Sequence, residues 1–589
     1  MSPVDRYALG AAAVSRTSRA LFRARELSYR ARRAAGLPSE AMRRRDEAEQ
    51  TVAAELREGR ARRGAAQPRN ILLVTTDQQR FDSIGVHGQR IARTPTFDAI
   101  ARAGVDYLRC HVQNVVCMPS RATIVTGQHP LTHGVVANGI ALPDDAPNVF
   151  AHLRRALGYR TALIGKAHFD PHLDPTLAWD ENRLAAEGST GPFRGFEHAE
   201  LATHGPLGGH HYAAWLRREH PEHTAGFGAV LTGAGGGDTG APEVKHNPVP
   251  RALYHTDWVA DRTLAWLRAR ATDEPWVCWM SFPDPHHPLD PPYEEVRARI
   301  DWRDVPLPEG HPGSADRARD LLSRRPRHWL DWYDGRYKNP EGGPISFEPA
   351  RLTADQVREV NAMIHVENEL VDEAIGRVLA DLDARGVLAD TDVIVTTDHG
   401  ELQGDLGLLF KGPYHVDALL RVPLLWQPAR RAAVAPARIT QPVGLVDVAP
   451  TLCAIAGVPA PDWMQGAPLP VADDATRERV ITTFDSQFGQ VGMHLRTIHR
   501  DGWTCTVYLP SDDRGGRWPA YWAVWGRGSR VPRYDGTEGE LYDTRADPHH
   551  FESRWGDPSV RALRDALVAD LRDHMPQARP QPLPFAAPT

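Results

Sequence analysis

Cysteine is scarce in this chain of 589 residues. An odd and sparse set of five argues against a disulfide framework and favours a reducing, cytoplasmic setting. The five are Cys110, Cys117, Cys278, Cys453 and Cys505. Long apolar runs are also absent, so no stretch predicts a membrane span, although 41% hydrophobic residues suffice for a globular protein. The formal net charge is only −6, which gives no reason to expect nucleic acid as a partner.

The N-terminus lacks the compact apolar core of a secretory signal peptide and is rich in arginine and alanine. Residues 1–68 read as an extension of two helices, of which the second ends near Gly64. The first helix carries a thin apolar stripe at Val14, Leu21, Phe22 and Tyr29. This pattern predicts either a solvated arm or an arm that docks on a partner subunit. We expect the docked alternative, a contact within a homo-oligomer, because a short isolated helix is marginal in water.

The length of the chain predicts two or more packed units. From Asn70 onward, short apolar segments typical of buried strands alternate with helical segments. The strand-like segments are NILLVTTDQQ, RTALIGKAHF, PWVCWMSFPDPHHP and DVIVTTDHGE. This alternation predicts an α/β fold over residues 69–475, with a large mixed, mostly parallel sheet flanked by helices. Residues 476–589 predict a smaller antiparallel sheet with a terminal helix and a Pro-rich tail.

The tetrapeptide VTTD occurs twice, at residues 74–77 and 395–398, each time at the end of an apolar strand. Sites in open parallel sheets form at the carboxyl ends of strands. Two neighbouring strands would therefore bring together Asp77, Gln78, Asp398 and His399. Oxygen donors with one imidazole suit a hard divalent metal ion. The alternative is that both acids cap the helices that follow them.

Polar chemistry also follows the other two strands, where Lys166 and His168 end one segment and His286 and His287 end the other. A further segment, CMPSRATIVTG, places Cys117 beside a proline, a serine and an arginine. Taken alone, this cysteine reads as a buried core residue or as a thiol activated by the neighbouring arginine.

The order of these motifs resembles the formylglycine-dependent (type I) sulfatase family of the alkaline phosphatase superfamily. The segment CMPSR, followed by TG, is similar to the signature of that family. The likeness runs from Asn70 to about Met575 and includes GKAHF, PDPHHP, TTDHGE and FKGPYHVDALLRVP. Residues 1–68 lie outside it.

The resemblance implies that a formylglycine-generating enzyme oxidises Cys117 to an aldehyde, 3-oxoalanine. The hydrated aldehyde would attack a sulfate monoester, and its second hydroxyl would later let the diol collapse and expel sulfate. Arg121 is expected to stabilise the alkoxide. One metal ion would lower the pKa of the diol and hold the sulfate oxygens. Its ligands would be Asp77, Gln78, Asp398, His399 and the modified Cys117.

Four further roles carry over from the resemblance. Lys166 would hold a diol or sulfate oxygen, and His168 would be the base that takes the proton of the second hydroxyl. His286 would protonate the leaving oxygen. Lys411 would share the charge of the leaving group and the sulfate.

The chain departs from the family's pattern at two positions. Gln78 stands where many members have a second aspartate, so calcium is expected from the family while manganese and magnesium stay open. His415 stands where an acidic pair often follows the downstream lysine, and this difference bears on the choice of substrate. His287 and His415 either line the substrate pocket or merely pack.

Three functions compete at this point. The first is hydrolysis of a sulfate monoester carried by a sugar, an aryl group or a small metabolite. The second is hydrolysis of a phosphonate monoester or phosphodiester by a relative in the same superfamily. Lys166 and His168 favour the first, because such relatives tend to lack that pair. The third is a non-enzymatic binding protein on this fold, which would need a broken site, whereas every expected position is filled.

Overall fold

The computed structural model describes residues 39–586 and a few positions between 24 and 35, apart from 172–176, 206–208, 225–235, 272, 340, 342, 345–346, 475, 487–492 and 512–531. Its strands are β1 (Asn70–Thr76), β2 (Val105–Tyr107), β3 (Cys110–His111), β4 (Arg160–Gly165), β5 (His198–Leu201), β6 (Trp276–Ser281), β7 (Thr391–Thr397), β8 (Arg421–Val422), β9 (Leu424–Gln427), β10 (Ala437–Ile439), β11 (Val443–Gly444), β12 (Arg479–Asp485), β13 (His494–Arg500), β14 (Trp503–Leu509) and β15 (Gly539–Asp543).

The α-helices of the same residues are α1 (Glu40–Arg63), α2 (Pro95–Ala103), α3 (Cys117–Thr126), α4 (Pro130–His133), α5 (Val149–Leu157), α6 (Asp180–Glu187), α7 (His211–Glu219), α8 (His255–Arg268), α9 (Tyr293–Arg299), α10 (Ala315–Ser323), α11 (His328–Tyr333), α12 (Ala354–Ala384), α13 (Asp417–Leu420), α14 (Val448–Ala456) and α15 (Arg561–Asp573). Within this part of the chain, none of the helices combines the length and the apolar character that a membrane crossing requires.

Eight of the described strands form one sheet in the order β10-β2-β9-β7-β1-β6-β4-β5. The five strands from β7 to β5 run parallel, whereas β9 is antiparallel to both of its neighbours. Alternate residues of β1 face two different cores. Ile71 and Leu73 pack in the core that contains α5 and α14, and Leu72 and Val74 pack in the core that contains α8 and α12. The predicted mixed, mostly parallel sheet flanked by helices is confirmed, and burial on both faces explains the continuous apolar runs.

The two VTTD segments lie side by side in this sheet. Residues 74–76 of β1 pair in parallel register with residues 395–397 of β7. Asp77 and Asp398 follow their strands by the same number of residues, so both emerge at the carboxyl edge of the sheet. The prediction that these two strands are neighbours is confirmed.

A second, antiparallel sheet has the order β12-β13-β14-β15, with α15 packed on it, which confirms the predicted smaller C-terminal sheet and helix. The aromatic segment RWPAYWAVWG and the predicted boundary at residue 475 lie outside the described residues. β12 is attached to the chain just before α3. Thr483 donates its amide to the Gln113 carbonyl at 2.9 Å, and Asn114 Nδ2 donates to the Thr483 carbonyl at 2.8 Å.

The second half of the N-terminal extension packs on its own chain, a contact that was not predicted, while the predicted subunit contact of residues 1–68 stays a prediction. α1 ends before Gly64, as predicted, but it packs on α5 of the same chain. Gly59 and Gly158 allow the two backbones to approach, because a Cβ built on Gly59 would lie 2.4 Å from the Arg154 carbonyl oxygen. Because neither glycine has a side chain, the two helices can lie closer together than larger residues would allow.

Ion pairs on either side of this contact link α1 to the rest of the chain. Glu55 pairs with Arg154 at 2.6 Å, and Arg45 pairs with Glu187 at 2.9 Å. Arg45 is almost fully buried, so the Glu187 carboxylate compensates a charge that has little contact with water. The apolar stripe of the first predicted helix lies outside the described residues, at Val14, Leu21, Phe22 and Tyr29.

The Gly59→Ala variant tests the docking of α1. Alanine is the better helix former, but its Cβ would overlap the backbone of α5. We expect the free energy of unfolding to fall by roughly 1–3 kcal/mol, the usual range for overpacking. Urea denaturation of the purified chain measures it. Gly556→Ala is the matched control, because no atom lies within 4 Å of its Cβ position. Equal stability of both variants would contradict the docking.

Candidate active site

Cys117 is the first residue of α3, the helix that carries the CMPSR motif. Every residue of this helix is buried, and Cys117 is only 1% exposed. The amides on either side are held by side chains: Asn114 Oδ1 accepts from Val116 N and Asn138 Oδ1 accepts from Met118 N, each at 3.0 Å. Cys117 thus stands at a helix N-terminus, where the aligned peptide dipoles favour negative charge.

Four of the predicted residues converge where α3 meets the ends of β1 and β7. Ligand atoms of Asp77, Cys117, Asp398 and His399 all lie within 4.8 Å of one another. Cys117 Sγ is 3.1 Å from His399 Nε2 and 3.8 Å from Asp77 Oδ1. His399 Nδ1 bonds to the Gly400 carbonyl at 2.9 Å, which leaves Nε2 for the cluster. Two carboxylates and an imidazole are a donor set that fits a divalent cation.

Arg121 reaches the carboxyl ends of four adjacent parallel strands. Its guanidinium donates to Asp398 Oδ2 at 2.7 Å and to Asp77 Oδ2 at 2.9 Å, after β7 and β1. It also donates to Ser281 Oγ on β6 at 2.9 Å and to the Lys166 carbonyl after β4 at 2.8 Å. Burial alone would raise the pKa of the Asp77 carboxyl, but Lys166 and Arg121 hold it well below its usual value. Asp77 is therefore ionised in this site.

Gln78 has a left-handed backbone conformation, with φ of 62°, and its side chain is bonded at both ends. Its Nε2 donates to Glu401 Oε2 at 2.7 Å, and its Oε1 accepts from Lys411 Nζ at 2.7 Å. Burial raises the pKa of Glu401 to about 7. Glu401 had no predicted role, yet its bond to Nε2 fixes the orientation of the Gln78 amide, whose Oε1 faces Lys411.

Lys166 lies between the cluster and a histidine that sequence analysis missed. Its Nζ is 2.6 Å from Asp77 Oδ2 and 4.0 Å from Cys117 Sγ. On its other side, His204 Nε2 lies 2.8 Å away. His204 follows β5, the strand next to β4, so it obeys the same strand-end rule as the predicted residues. The charged and weakly apolar sequence of β5, HAEL, hid that signal.

Lys411 forms a second lysine–histidine contact, with its Nζ 2.6 Å from His286 Nε2. His286 Nδ1 donates to the His287 carbonyl. Burial and the charge of Lys411 lower the pKa of His286 well below its usual value, so the imidazole is neutral. The His287 ring stacks on His286 at 4.1 Å, and its Nδ1 lies 3.2 Å from Gln78 Nε2. The structure therefore places His287 beside Gln78 and His286.

His168 occupies a turn after β4 with a positive φ of 58°. The carboxylate of Glu181 holds this turn, because it accepts hydrogen bonds from the amides of His168, Phe169 and Asp170 at 2.8, 2.9 and 3.0 Å. Glu181 lies on α6 and was not predicted. No pattern within the strand identifies an anchor on the following helix.

His415 packs against the C-terminal sheet. Its Nδ1 bonds to Thr497 Oγ1 on β13 at 2.6 Å. Burial, with Arg496 nearby, lowers its pKa to about 3, so this imidazole is neutral. These contacts fit the alternative in which His415 packs, rather than the one in which it lines a substrate pocket.

The surroundings of the Cys117 thiol do not favour its ionised form. Burial and the negative charge of Asp77 raise its pKa to about 12, while Lys166 and Lys411 act in the opposite direction. Arg121, which would be the activator in that alternative, is already bonded to two carboxylates. Since the thiolate is the nucleophilic form of cysteine, the geometry argues against an arginine-activated thiol.

Comparisons with known proteins identify the family of this chain. A family model described as Sulfatase matches residues 69–188 and 207–458. An arylsulfatase of Clostridium perfringens is 27% identical over 442 residues, which cover 73% of this chain and 84% of that protein. The multifunctional alkaline phosphatase superfamily protein PehA of Trinickia caryophylli is 26% identical over 510 residues, covering 84% and 93%.

The crystal structure of a phosphonate monoester hydrolase of Agrobacterium radiobacter has a similar fold. Its TM-score is 0.66, and the match covers 86% of this chain and 95% of that chain. At 22% sequence identity, this likeness bears on the fold alone.

The thiol of unmodified Cys117 should resist alkylation. With a pKa of about 12, its thiolate fraction at pH 8 is about 10⁻⁴, against roughly a quarter for an ordinary cysteine. We expect iodoacetamide to label Cys117 at least about 10³-fold more slowly than glutathione, as measured by peptide mass spectrometry. Labelling of the same peptide in urea is the control. A rate similar to that of glutathione in the folded protein would restore the activated thiol.

Proposed function

This chain belongs to the sulfatase family of sulfuric ester hydrolases, and we propose that it hydrolyses a sulfate monoester to an alcohol and inorganic sulfate with a nucleophile made from Cys117. One observation carries the proposal. Cys117 Sγ lies at the start of a buried helix, 3.1 Å from His399 Nε2 and 4.0 Å from Lys166 Nζ. A sulfate group at this position meets preorganised positive charge at the atom that reacts.

The proposed nucleophile is formylglycine at position 117, in its hydrated form, and the cysteine sulfur stands in the place of the reacting oxygen. A thiol whose pKa is raised to about 12 is a weak nucleophile. The hydrated aldehyde supplies an oxygen nucleophile and a second hydroxyl through which sulfate leaves without an attacking water. Maturation by a formylglycine-generating enzyme is therefore part of the proposal.

Asp77, Gln78, Asp398 and His399 are the residues that we propose to hold one divalent metal ion. Two observations support the fit: Asp77 is kept ionised by Lys166 and Arg121, and Glu401 turns the Gln78 oxygen away from itself. Hard oxygen donors favour calcium, with manganese and magnesium as alternatives. When bound, the ion would lower the pKa of the nucleophilic hydroxyl and polarise the sulfate oxygens.

Lys166 and Lys411 are the proposed ligands of the sulfate oxygens. Four of the five N–H donors of Arg121 bond to carboxylate, hydroxyl and carbonyl groups of the protein, so this guanidinium mainly holds the site together. The two ammonium groups carry flexible stems and compact charges. Their positive charge would stabilise the negative charge that develops on the ester oxygen and the sulfate.

The leaving oxygen is proposed to take its proton from His286. Because Nδ1 of this imidazole donates to the His287 carbonyl, the ring presents Nε2, which accepts from Lys411 Nζ at 2.6 Å. The negative charge of a bound sulfate ester would favour a proton on Nε2, and that proton would pass to the leaving oxygen while Lys411 keeps its charge. His168, whose turn Glu181 holds, is the proposed base for the proton of the second hydroxyl.

A comparison of esters tests this function. Fully modified enzyme is given 4-nitrophenyl sulfate, a 4-nitrophenyl phosphonate monoester, bis(4-nitrophenyl) phosphate and a set of sulfated monosaccharides. We expect the highest kcat/KM for a sulfate monoester, because Lys166 and His168 favour sulfate release. Peptide mass spectrometry of residue 117 gives the modified fraction of each sample. A clear preference for the phosphonate would overturn the proposal in favour of the phosphonate alternative.

The Cys117→Ala variant is the control for that comparison. It should fold normally and lose roughly 10³-fold or more in kcat, the usual scale for removing a nucleophile. Cys505→Ala removes another buried cysteine, in the core beneath α15, and should keep its activity. Equal activity of the two variants would assign the hydrolysis to another group or to a contaminant.

Loss of one carboxylate charge should weaken the metal site. Isothermal titration of chelator-treated protein with calcium should show one ion per chain, and Asp398→Asn should raise the Kd by roughly tenfold or more because the ion loses an anionic ligand. The exposed Asp355→Asn should leave the Kd unchanged. Two ions per chain, or an unchanged Kd for Asp398→Asn, would contradict the proposed ligands.

A further inference from the structure

Lysine is rare in this protein: the sequence has four lysines and 65 arginines. Two of the four, Lys166 and Lys411, lie in the candidate active site, and each ammonium touches one imidazole. The two imidazoles, His204 and His286, stack face to face with their centroids 4.2 Å apart and their planes at 21°. The site thus contains two lysine–histidine pairs in contact through their rings. Only one of these histidines, His286, has a role in the proposed reaction.

The bond between Lys166 and His204 has a defined direction. A lysine ammonium has three donors and no acceptor, so His204 Nε2 must accept the hydrogen bond at 2.8 Å. His204 therefore meets Lys166 as a hydrogen-bond acceptor. Lys166 Nζ also contacts Asp77 Oδ2 at 2.6 Å. Two short bonds on different sides fix the end of a stem that is otherwise free to rotate.

We propose that His204 is a positioning residue, which holds the Lys166 ammonium beside the reacting atom at position 117 and fixes the plane of the His286 ring. This inference rests on the proposed sulfate ester hydrolysis, in which both partners of His204 take part. His204 lies 38 residues after Lys166, outside the segments GKAHF and PDPHHP that carry the predicted residues. Its buried position, with 7% of the residue exposed, keeps water from competing for Nζ.

The chemistry of imidazole suits this position better than the alternatives. Lys166 already pairs with the Asp77 carboxylate, and a second carboxylate at position 204 would surround the ammonium with negative charge that repels a sulfate group. An arginine or a second lysine would repel the ammonium. An imidazole acceptor orients the ammonium without adding a negative charge, and the flat ring supplies the stacking surface for His286.

Two variants separate the acceptor from the ring. His204→Phe keeps a ring for stacking but removes the acceptor, whereas His204→Gln keeps an acceptor near the position of Nε2 but removes the ring. We expect kcat for the best sulfate ester to fall by about 10- to 100-fold in His204→Phe, the usual range for a residue that orients a reacting group. His204→Gln should recover most of that loss. KM should change by less than about threefold, because the acceptor does not touch the leaving group.

His365→Phe is the matched control, because His365 is also 7% exposed and lies on α12. It should keep the wild-type kcat. The melting temperature and the calcium content of all three variants are also measured. Neither quantity should rank the variants in the same order as kcat does. Equal losses in the Phe and Gln variants, or losses that follow the melting temperature, would overturn the positioning role. A wild-type enzyme that hydrolyses no sulfate ester would instead overturn the proposed function.

Discussion

The site depends on a single buried guanidinium. Arg121 bonds to groups at the carboxyl ends of β7, β1, β6 and β4, which are neighbours in that order in the sheet. An arginine does not release its proton in a protein interior, so its charge has to be balanced where it lies. Asp77 and Asp398 provide that balance, which obliges both to be carboxylates. The helix that starts with Cys117 is thereby attached to four strands through one side chain.

The remaining charges follow from this constraint. Arg121 contacts the carboxylates of Asp77 and Asp398, Lys166 contacts Asp77, and burial keeps His286 neutral. Lys166 and Lys411 both act on the group at position 117, and their positive charges favour an anion there. The imidazoles beside the two ammonium groups orient them without adding negative charge. An anionic ester therefore finds its counter-charges in place, and little reorganisation is needed when it binds.

Sequence patterns predicted those parts of the site that have a local sequence signal. The apolar strands, the paired VTTD ends and the CMPSR helix are local signals, and the structure brings their residues together. The residues that were missed act between elements that are distant in the sequence. The role of His204 could be predicted only from the order of the strands, and that of Glu181 only from the position of the next helix. The role of Glu401 depends on the orientation of the Gln78 amide. The docking of α1 was missed for the same reason, because the close contact at Gly59 depends on the helix it meets.

The burial of Cys117 sets an order of events during synthesis. A modifying enzyme cannot bind a side chain that is 1% exposed in a wholly buried helix. In addition, β12 forms hydrogen bonds with the residues just before this helix. Residue 479, the first of β12, follows Cys117 by 362 positions. At the usual speed of translation this distance corresponds to roughly 20 to 70 seconds. The proposed conversion to formylglycine must therefore compete with folding. The fraction of active molecules would depend on the rate of modification relative to the rate of folding, and not on the stability of the folded protein.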